Sequence, residues 1–484
     1  MPPNAEAVAA EIQRTRVLCV DLDGTLAKND SFADALVVHL GRGPRGILQV
    51  AQALRLGKAG AKSRMAQLQL LDVNFVPYNE TLVDWLRTWK AQGVHIVLAT
   101  AADRVVAQAI ADHLDVFDEV LASDSSRNLK GDLKARALIA KYGDGGFVYV
   151  GDSAADLKVW QHAAAAVAVN TRTSVSTRLA AIGIPAMEIS PRKQGAEWSA
   201  FLKAIRPHQW SKNLLVFVPI LTSGDYSNPV VWLFALAAFI AFSFTASGVY
   251  LVNDALDLIS DRQHPRKRNR PFASGGLPIL YVLLVLPIFL LGLGFAAAAG
   301  IVTAILAYIA LTSFYTLYGK SQAILDVTLL ALLYSIRLFA GGLATGHSVS
   351  AWLLAFSGFL FFNLAIMKRY AELNATDNSA LPGRGYLKLD LVFLLTSGMA
   401  SGFSACVVLA LYVENNLGAG VYENPALLWV LSPLMLIWQL RLWRETIHGR
   451  MTDDPIIFAA RDKATLVIGV AAFFFVLLAH ASLI

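Results

Sequence analysis

Two aspartates stand at the end of a short apolar run near the start of the chain. Asp21 directly follows the run Val17–Val20, and Asp23 comes two residues later in the segment VLCVDLDGTL. Such a run predicts a buried strand, and open α/β sheets bind ligands at the edge where their strands end. Two carboxylates there can serve as a nucleophile and a proton donor, and they can also hold Mg²⁺, which prefers oxygen ligands. The spacing therefore predicts a site for phosphotransfer chemistry.

Three later segments add groups that suit the same chemistry. Thr100 ends the apolar stretch VLAT and offers a hydroxyl to a phosphate oxygen. The segment NLKGDLK offers a cation, and its spacing to Asp152 favours Lys130 over the alternative, Lys134. The stretch FVYV ends in GDSAAD, which supplies Asp152 and Asp156 as two further carboxylates for a metal ion.

Together these segments resemble the haloacid dehalogenase (HAD) superfamily of phosphatases over residues 16–190. The resemblance implies that Asp21 is the nucleophile that becomes phosphorylated and that Asp23 is the general acid and base. It implies that Thr100 and Lys130 bind phosphate. It also implies a helical cap at about 30–78 that selects the substrate, and Mg²⁺ bound by a set of four aspartates: Asp21, Asp23, Asp152 and Asp156. The alternative is an inactive HAD module that only docks or regulates.

A second acidic cluster occurs at the end of a long apolar run. Asp254, Asp257 and Asp261 are spaced by three and four residues, so on a helix they share one face. Carboxylates at a membrane boundary are costly unless they bind cations. The basic residues of HPRKRNRP, which include Lys267 and Arg270, follow at once and suit an anionic group. We therefore expect a Mg²⁺–diphosphate site here.

The motif NDxxDxxxDxxHPxKxxRP resembles the UbiA superfamily of intramembrane prenyltransferases, and the likeness covers residues 200–484. Segments 204–219, 246–271, 337–345 and 368–373 resemble the branch of decaprenyl-phosphate phosphoribosyltransferases. This branch implies phosphoribosyl pyrophosphate as donor and a polyprenyl phosphate as acceptor. Aromatic prenyltransferases of the superfamily carry a second DxxxD motif, whereas here Asp326 stands alone between Gln322 and Leu330. This departure disfavours the alternative, aromatic prenylation.

Several single residues are further candidates in the membrane half. Asp326 is predicted to stabilise positive charge that develops on the ribose. Arg337 lies midway in an apolar run, where an arginine is usually functional or paired. Other basic residues are predicted to bind the sugar phosphate or the lipid phosphate, with snorkelling to the lipid interface as the alternative for each; they are Lys212, Lys320, Lys368 and Arg369.

Composition and patterning define the elements that must position these groups. Hydrophobic residues make up 56% of the 484 residues and charged residues only 16%, which excludes a disordered chain and an ordinary soluble enzyme. The two cysteines exclude a disulfide scaffold, and a net charge of +6 is too small to indicate nucleic-acid binding. We predict a multidomain protein: an α/β, Rossmann-like HAD domain at 1–190, a linker at 191–205, and an all-α membrane bundle at 206–484.

The bundle is predicted to contain about nine transmembrane helices. Apolar runs occur near 213–222, 229–252, 277–297, 300–318, 323–344, 350–367, 389–412, 425–440 and 464–484. Every second connection is basic, and the intervening ones carry no Lys or Arg, which predicts that the basic loops, the HAD domain and both active sites are cytoplasmic. We therefore expect a multi-pass protein of the inner or plasma membrane.

These features predict a bifunctional, Mg²⁺-dependent enzyme that makes a lipid-linked pentose. The membrane half would transfer 5-phosphoribose to polyprenyl (decaprenyl) phosphate, and the HAD domain would remove the 5-phosphate. The alternatives are an aromatic prenyltransferase with an accessory HAD domain, and a lipid carrier or scaffold regulated by that domain.

Overall fold

The structure, a computed structural model, describes residues 3–68, 72–191, 195–223, 225, 227–376, 379–381, 384–416, 422–451 and 455–480. The chain forms two compact units, each interrupted in sequence. One comprises Met1–Arg206 and Tyr250–Val285, and the other comprises Pro207–Val249 and Leu286–Ile484.

A six-stranded parallel sheet organises the first unit. Its strands are β1 (Val17–Val20), β2 (His95–Asp103), β3 (Glu119–Ser123), β4 (Val148–Gly151), β5 (Ala165–Val169) and β6 (Ala186–Ile189), in the order β3-β2-β1-β4-β5-β6. Strand β1 pairs with β2 and β4, with Val20 opposite both Leu98 and Val150. The residues that follow β1 and β4 therefore emerge side by side at one edge of the sheet.

Helices cover both faces of this sheet, because its aliphatic strands are apolar on both sides. The separate buried clusters around Leu18 and around Cys19 are its two hydrophobic cores. This arrangement confirms the predicted α/β class. The covering helices are Pro3–Thr15, Glu80–Ala91, Arg104–Leu114, Asp132–Tyr142, Leu157–Trp160 and Thr173–Ala180, and a further helix of the unit is Ala196–Ile205.

A small helical cap lies between β1 and the helix Glu80–Ala91. It consists of Ser31–Leu40, Pro44–Leu54, Gly57–Leu68 and the 3-10 turn Val73–Phe75. Asp30 caps the first helix by accepting hydrogen bonds from two backbone N–H groups. Val50, Ala53, Ala61 and Met65 form the cap's own buried cluster.

The segment Tyr250–Val285 packs in the same unit as the sheet and its cap. It contains the end of the helix Pro229–Leu256, the helix Leu258–Gln263, and the 3-10 helices Lys267–Asn269 and Ile279–Leu284. Arg262 forms a buried ion pair of 2.6 Å with Asp34 of the cap. The acidic motif and the cap are therefore structurally joined.

Among its described residues, the regular elements of the second unit are all helices. Its longer helices are Val302–Leu317, Leu325–Thr345, Ala351–Asn374, Leu391–Asn416, Leu431–Ile447 and Lys463–His480, together with most of Pro229–Leu256 and Val285–Ala298. Shorter helices are Val218–Ser223 and Pro455–Arg461, and the 3-10 helices are Pro207–Phe217, Gly319–Ser321, Lys388–Asp390 and Pro425–Val430. The predicted all-α bundle is confirmed.

The predicted count of nine spans is not confirmed. Six helices among the described residues are long and apolar enough to cross a membrane, or seven if the bent pair Pro455–Arg461 and Lys463–Ala479 is one span. The predicted span at 300–318 is the 16-residue helix Val302–Leu317, and the one at 213–222 is a 3-10 helix followed by a six-residue helix. Both are shorter than the roughly 20 residues that a bilayer requires.

The stretch predicted as a linker, 191–205, contains the helix Ala196–Ile205. Phe201 and Ala204 of this helix are buried. Residues 192–194 lie outside the described residues. The predicted boundaries at 190 and 206 remain predictions, but most of the stretch is folded rather than extended.

Candidate active sites

Three aspartates converge where β1 and β4 end. Side-chain oxygens of Asp21, Asp152 and Asp156 lie within 4.8 Å of one another. Thr25 donates a hydrogen bond of 3.2 Å to Asp152. Gly24 has φ +82°, and a Cβ there would stand 2.5 Å from the Asp152 carboxylate, so the turn after Asp23 requires glycine. The turn thus brings the backbone against Asp152.

A buried lysine completes this cluster, and it is Lys134 rather than Lys130. The Lys134 Nζ lies 2.9 Å from Asp21 Oδ1 and donates a hydrogen bond of 2.8 Å to Tyr149. Only 3% of Lys134 is exposed. Burial opposes its charge, but Asp21 and Asp156 outweigh that effect and hold the pKa of Lys134 above its ordinary value. Lys130, the residue favoured by spacing, is exposed before the helix Asp132–Tyr142, so the earlier preference is corrected.

The cluster has the charge and donors for a divalent cation. Three carboxylates face one ammonium group, which leaves net negative charge. Burial, followed by repulsion from Asp156 and Asp21, raises the pKa of Asp152 to about 8. Asp156 accepts hydrogen bonds from Tyr149 and Ser153, so its oxygens also order the loop. Asp21 and Asp152 retain oxygens that fit Mg²⁺.

Asp23 and Thr100 lie at the same edge of the sheet. Asp23 accepts a hydrogen bond of 2.9 Å from the backbone N–H of Ser31. Burial and the nearby Asp30 raise the pKa of Asp23 to about 7, which suits a group that gives and takes a proton near neutral pH. Thr100 is buried, and its hydroxyl accepts a hydrogen bond from the N–H of Ala102.

An open cavity of about 730 Å³ adjoins these aspartates. Gly24, Asp152 and Ser153 form part of its wall, and Arg172 contributes a cation. Another part of the wall comes from Gly275, Gly276 and Pro278, which follow the acidic motif within the same compact unit. The acidic motif segment therefore borders the aspartate site.

The second acidic cluster is neutralised by arginines. Both oxygens of Asp254 accept hydrogen bonds from Arg206, at 2.5 and 2.8 Å. Arg270 donates to Asp254 at 3.1 Å and to Asp261 at 2.7 Å. Asp254 and Asp261 are both buried. Two carboxylates and two guanidinium groups thus form one charge-balanced network.

The acidic motif is not one continuous helix. The helix Pro229–Leu256 ends before Asp257, which begins Leu258–Gln263. The backbone N–H of Asp257 nevertheless donates to Asn253, and that of Asp261 donates to Asp257. These hydrogen bonds cross the break and keep the aspartates at helical spacing. Asp257 is half-buried, and Lys267, which follows the acidic motif, is exposed.

The second unit contains its own buried carboxylate cluster at Asp326. Arg369 binds both oxygens of Asp326 and also pairs with Glu372. Arg384 donates to Asp326 at 3.1 Å and to the Tyr315 hydroxyl at 2.6 Å. Asp326 is therefore held by two arginines, and part of Arg384 remains exposed.

Comparison with known proteins assigns the two halves to families. The profile of the UbiA prenyltransferase family matches residues 214–458, just over half of the chain. The chain belongs to the UbiA prenyltransferase family. A second profile, that of haloacid dehalogenase-like hydrolases, matches residues 18–161. The protein is therefore a UbiA-family, integral, multi-pass membrane protein fused to a HAD-like domain, as predicted.

Some relatives align over nearly the whole chain, and others align over little more than half of it. An uncharacterized protein, y4nM, from Sinorhizobium fredii is 34% identical and aligns over 93% of this chain and 89% of its own length. The decaprenyl-phosphate phosphoribosyltransferase of Mycobacterium tuberculosis is 37% identical over 56% of this chain and 90% of its own length. The nodulation protein NoeC of Azorhizobium caulinodans is 35% identical over 56% and 92%.

The other predicted substrate-binding residues of the UbiA half lie at buried or half-buried positions. Arg337 donates to Asn213 at 2.7 Å and to Tyr308 at 3.1 Å, so it is paired within the protein rather than presented to a ligand. Arg369 likewise faces Asp326 rather than a cavity. Lys320 and Lys368 are half-buried, and Lys212 lies 5.8 Å from the centre of the Tyr334 ring.

Sequence inspection missed two arginines that complete the acidic clusters. Arg206 lies 48 positions before its partner Asp254, and Arg384 lies 58 positions after Asp326. A buried carboxylate in an apolar bundle requires a nearby cation, so each buried aspartate predicts a basic partner elsewhere in the sequence. Arg206 precedes Pro207 and Arg384 precedes Gly385, so both arginines lie beside residues that are common in loops.

Proposed function

We propose that the protein makes a polyprenyl-phosphoryl pentose in two steps. The UbiA half transfers 5-phosphoribose from phosphoribosyl pyrophosphate to a polyprenyl phosphate such as decaprenyl phosphate. The HAD domain then hydrolyses the 5-phosphate. The observation that supports the proposal is that Gly275, Gly276 and Pro278, which follow the UbiA aspartates in the chain, line the cavity at Asp152.

In the transfer step, a phosphate oxygen of the lipid attacks C1 of the ribose while the bond from C1 to pyrophosphate breaks. Arg206 and Arg270 lie beside Asp254 and would bind the leaving pyrophosphate as its negative charge develops. Asp254, Asp257 and Asp261 would hold Mg²⁺, which neutralises the diphosphate when bound. Arg206 donates a hydrogen bond to each oxygen of Asp254, so its guanidinium group competes with a metal ion for this carboxylate.

The surroundings of Asp326 favour this chemistry over aromatic prenylation. A second DxxxD motif would need another carboxylate four residues from Asp326, whereas Gln322 and Leu330 occupy those positions. Asp326 is bound by Arg369 and Arg384. The relative from Mycobacterium tuberculosis is named a decaprenyl-phosphate phosphoribosyltransferase, which agrees with a phosphoribosyl donor. Lys320 and Lys368 remain the proposed partners of the anionic substrates.

In the hydrolysis step, Asp21 attacks the phosphorus of the 5-phosphate, and the bond from phosphorus to the sugar oxygen breaks. Burial raises the pKa of Asp21, and the ammonium group of Lys134, 2.9 Å away, opposes that effect and favours the ionised nucleophile. Asp23 donates its proton to the sugar oxygen and then takes a proton from the water that attacks the phosphoaspartate. Inorganic phosphate leaves. Asp21, Asp152 and Asp156 fit Mg²⁺, which would offset the phosphate charge, with Asp23 contributing to the same site.

Topology supports cytoplasmic placement of both sites. The basic loops and the HAD domain are predicted on one side of the membrane by the distribution of Lys and Arg. Phosphoribosyl pyrophosphate, a highly charged molecule, would then reach the UbiA site without crossing the bilayer, and the HAD site would face the same side as the product's phosphate.

Mass spectrometry of the lipid product tests the proposal. Purified full-length protein is incubated with Mg²⁺, phosphoribosyl pyrophosphate and polyprenyl phosphate. Wild type and the control Asp144→Asn should yield the dephosphorylated pentose lipid and inorganic phosphate, Asp21→Asn should accumulate the phosphorylated lipid, and Asp254→Asn should yield neither. Equal accumulation of phosphorylated lipid by wild type and Asp21→Asn would contradict the two-step scheme. Consumption of a prenyl diphosphate with an aromatic acceptor would instead favour aromatic prenylation.

A further inference from the structure

The outer side of the HAD cap is apolar and basic. Within the helix Pro44–Leu54, Gly46, Val50 and Ala53 face inward and are buried. A Cβ on Gly46 would stand 1.8 Å from the carbonyl oxygen of His39, so this face packs tightly on the first cap helix. Five large aliphatic side chains in this helix and just beside it are each between 44% and 63% exposed: Leu40, Ile47, Leu48, Leu54 and Leu56. We call these five residues the cap face.

The apolar positions fall on one side of the helix. Ile47 and Leu54 are seven residues apart, with Ala51 between them at a spacing of four, so they align on one helical face. Leu48 stands beside Ile47 on the same side. A soluble domain rarely exposes so many large aliphatic side chains together, and such patches mark interaction sites.

The charge around the cap face has one sign. Residues 41–68 contain six Lys or Arg and no Asp or Glu. Arg42, Arg45 and Arg55 are exposed beside the cap face, whereas Lys62 turns inward to the carbonyl oxygen of Ala101. Exposed aliphatic residues flanked by arginines are typical of helices that lie in the interface of an anionic membrane.

The cap also contacts the ends of two membrane-spanning segments. A Cβ on Gly41 would stand 2.8 Å from Cδ2 of Leu256, the last residue of the candidate span Pro229–Leu256. The helix Ser31–Leu40 contacts Ile279–Leu284, which begins the candidate span Ile279–Ala298. The buried pair of Asp34 with Arg262 fixes the cap in this position. All these contacts lie within one compact unit.

We propose that the cap face is a membrane-binding surface that seats the HAD cap in the interface of the bilayer that the chain itself spans. The occupant is the anionic lipid surface, because the cap is held at the ends of two spans and its flanking charges are all basic. The consequence for catalysis rests on the proposed function: the phosphomonoester that the HAD site accepts is attached to a lipid, and the cap admits it from the membrane surface.

Fluorescent labels on single introduced cysteines test this surface in the full-length protein. Both native cysteines, Cys19 and Cys406, are buried, so the introduced thiol is labelled selectively. An environment-sensitive dye is placed at Ile47→Cys, Leu54→Cys or Asp144→Cys in nanodiscs that contain anionic lipid with or without a doxyl-labelled lipid. Asp144 precedes β4 and lies at the opposite edge of the sheet from the cap.

The quencher should reduce fluorescence at positions 47 and 54 by about twofold or more and leave position 144 unchanged, because an interfacial helix buries its apolar face among the lipids. Equal quenching at all three positions would overturn the proposal. So would energy transfer between labelled copies at position 47 without lipid quenching, which would assign the cap face to a second copy of the chain.

A triple variant, Ile47→Ser, Leu48→Ser and Leu54→Ser, tests the consequence for catalysis. Hydrolysis of the lipid-linked phosphate should fall about tenfold while hydrolysis of a soluble phosphomonoester is unchanged, since only the lipid-linked substrate needs the seated cap. Equal loss on both substrates would contradict the inference. Lipid quenching in a protein that makes no pentose lipid would refute the proposed function and leave the surface intact.

Discussion

Replacing Lys134 by methionine should separate the buried lysine from Lys130 as the working cation of the phosphatase site. Methionine keeps the length of the side chain and removes the ammonium group that lies 2.9 Å from Asp21. The same change removes the donor to Tyr149, which itself donates to Asp156. The site would then contain three carboxylates with no cation from the protein.

The expected loss of kcat/KM in Lys134→Met follows from the burial of the lysine. Lys134 is 3% exposed, and breaking a buried ion pair by deleting one partner costs about 3–5 kcal/mol. If the Lys134–Asp21 contact is equally needed in the transition state, this corresponds to about 10²–10⁴-fold in kcat/KM, at about 1.4 kcal/mol per tenfold. Lys130 is exposed, so Lys130→Met should change kcat/KM by less than about twofold.

The assay measures kcat/KM for a soluble phosphomonoester with full-length protein in Mg²⁺, alongside phosphoribosyl transfer as a check that the membrane half is folded. A double variant, Asp21→Asn with Lys134→Met, removes both charges and should recover thermal stability that Lys134→Met loses, which separates folding from catalysis. A large loss of phosphatase activity in Lys130→Met with a small loss in Lys134→Met would refute the assignment.

Three further outcomes are expected. Burial raises the pKa of Asp152 to about 8, so below that pH a proton competes with Mg²⁺ for this carboxyl group. The Mg²⁺ dissociation constant of the phosphatase site should therefore rise about tenfold per pH unit from pH 8 to 6. Calorimetry on an Asp254→Asn variant measures this constant. Arg206→Gln should lower the Mg²⁺ concentration for half-maximal transfer by about tenfold, because a charged hydrogen bond worth about 1.5–3 kcal/mol no longer competes for Asp254. An unchanged Mg²⁺ concentration for half-maximal transfer would show that Arg206 does not compete. Asp326→Asn should destabilise the detergent-solubilised protein by about 3–5 kcal/mol, seen as a lower Tm, since Arg369 would be left buried without its carboxylate. Glu414→Gln, at an exposed position, is the control.

Much of the phosphatase site was predictable because parallel strands deliver their following residues to one edge. The runs before Asp21 and Asp152 are aliphatic, and pairing of β1 with β4 brings the two carboxylates together. The identity of the lysine was not predictable from spacing alone. It depends on where the helix Asp132–Tyr142 begins, since this start leaves Lys130 in the loop and turns Lys134 toward the sheet.

Predictions for the membrane half were weaker where they needed three-dimensional pairing. The aspartates at 254, 257 and 261 were recognisable from helical spacing, but the partners Arg206 and Arg384 are distant in sequence and have no periodic signal. Apolar runs also failed to fix the number of spans. Such a run does not distinguish a full span from the 16-residue helix Val302–Leu317.

The two acidic sites differ in charge balance, and this difference has a chemical consequence. At the phosphatase site, Asp21, Asp152 and Asp156 outnumber Lys134, so a cation is favoured before any substrate arrives. At the UbiA motif, Asp254 and Asp261 are paired with Arg206 and Arg270, and Asp257 is the third carboxylate, so a cation alone would meet two positive groups already in place. A diphosphate that accompanies the metal changes this balance, because its oxygens accept the guanidinium groups and release the carboxylates. We therefore expect Mg²⁺ to enter the UbiA motif together with its donor, whereas the phosphatase site binds it independently.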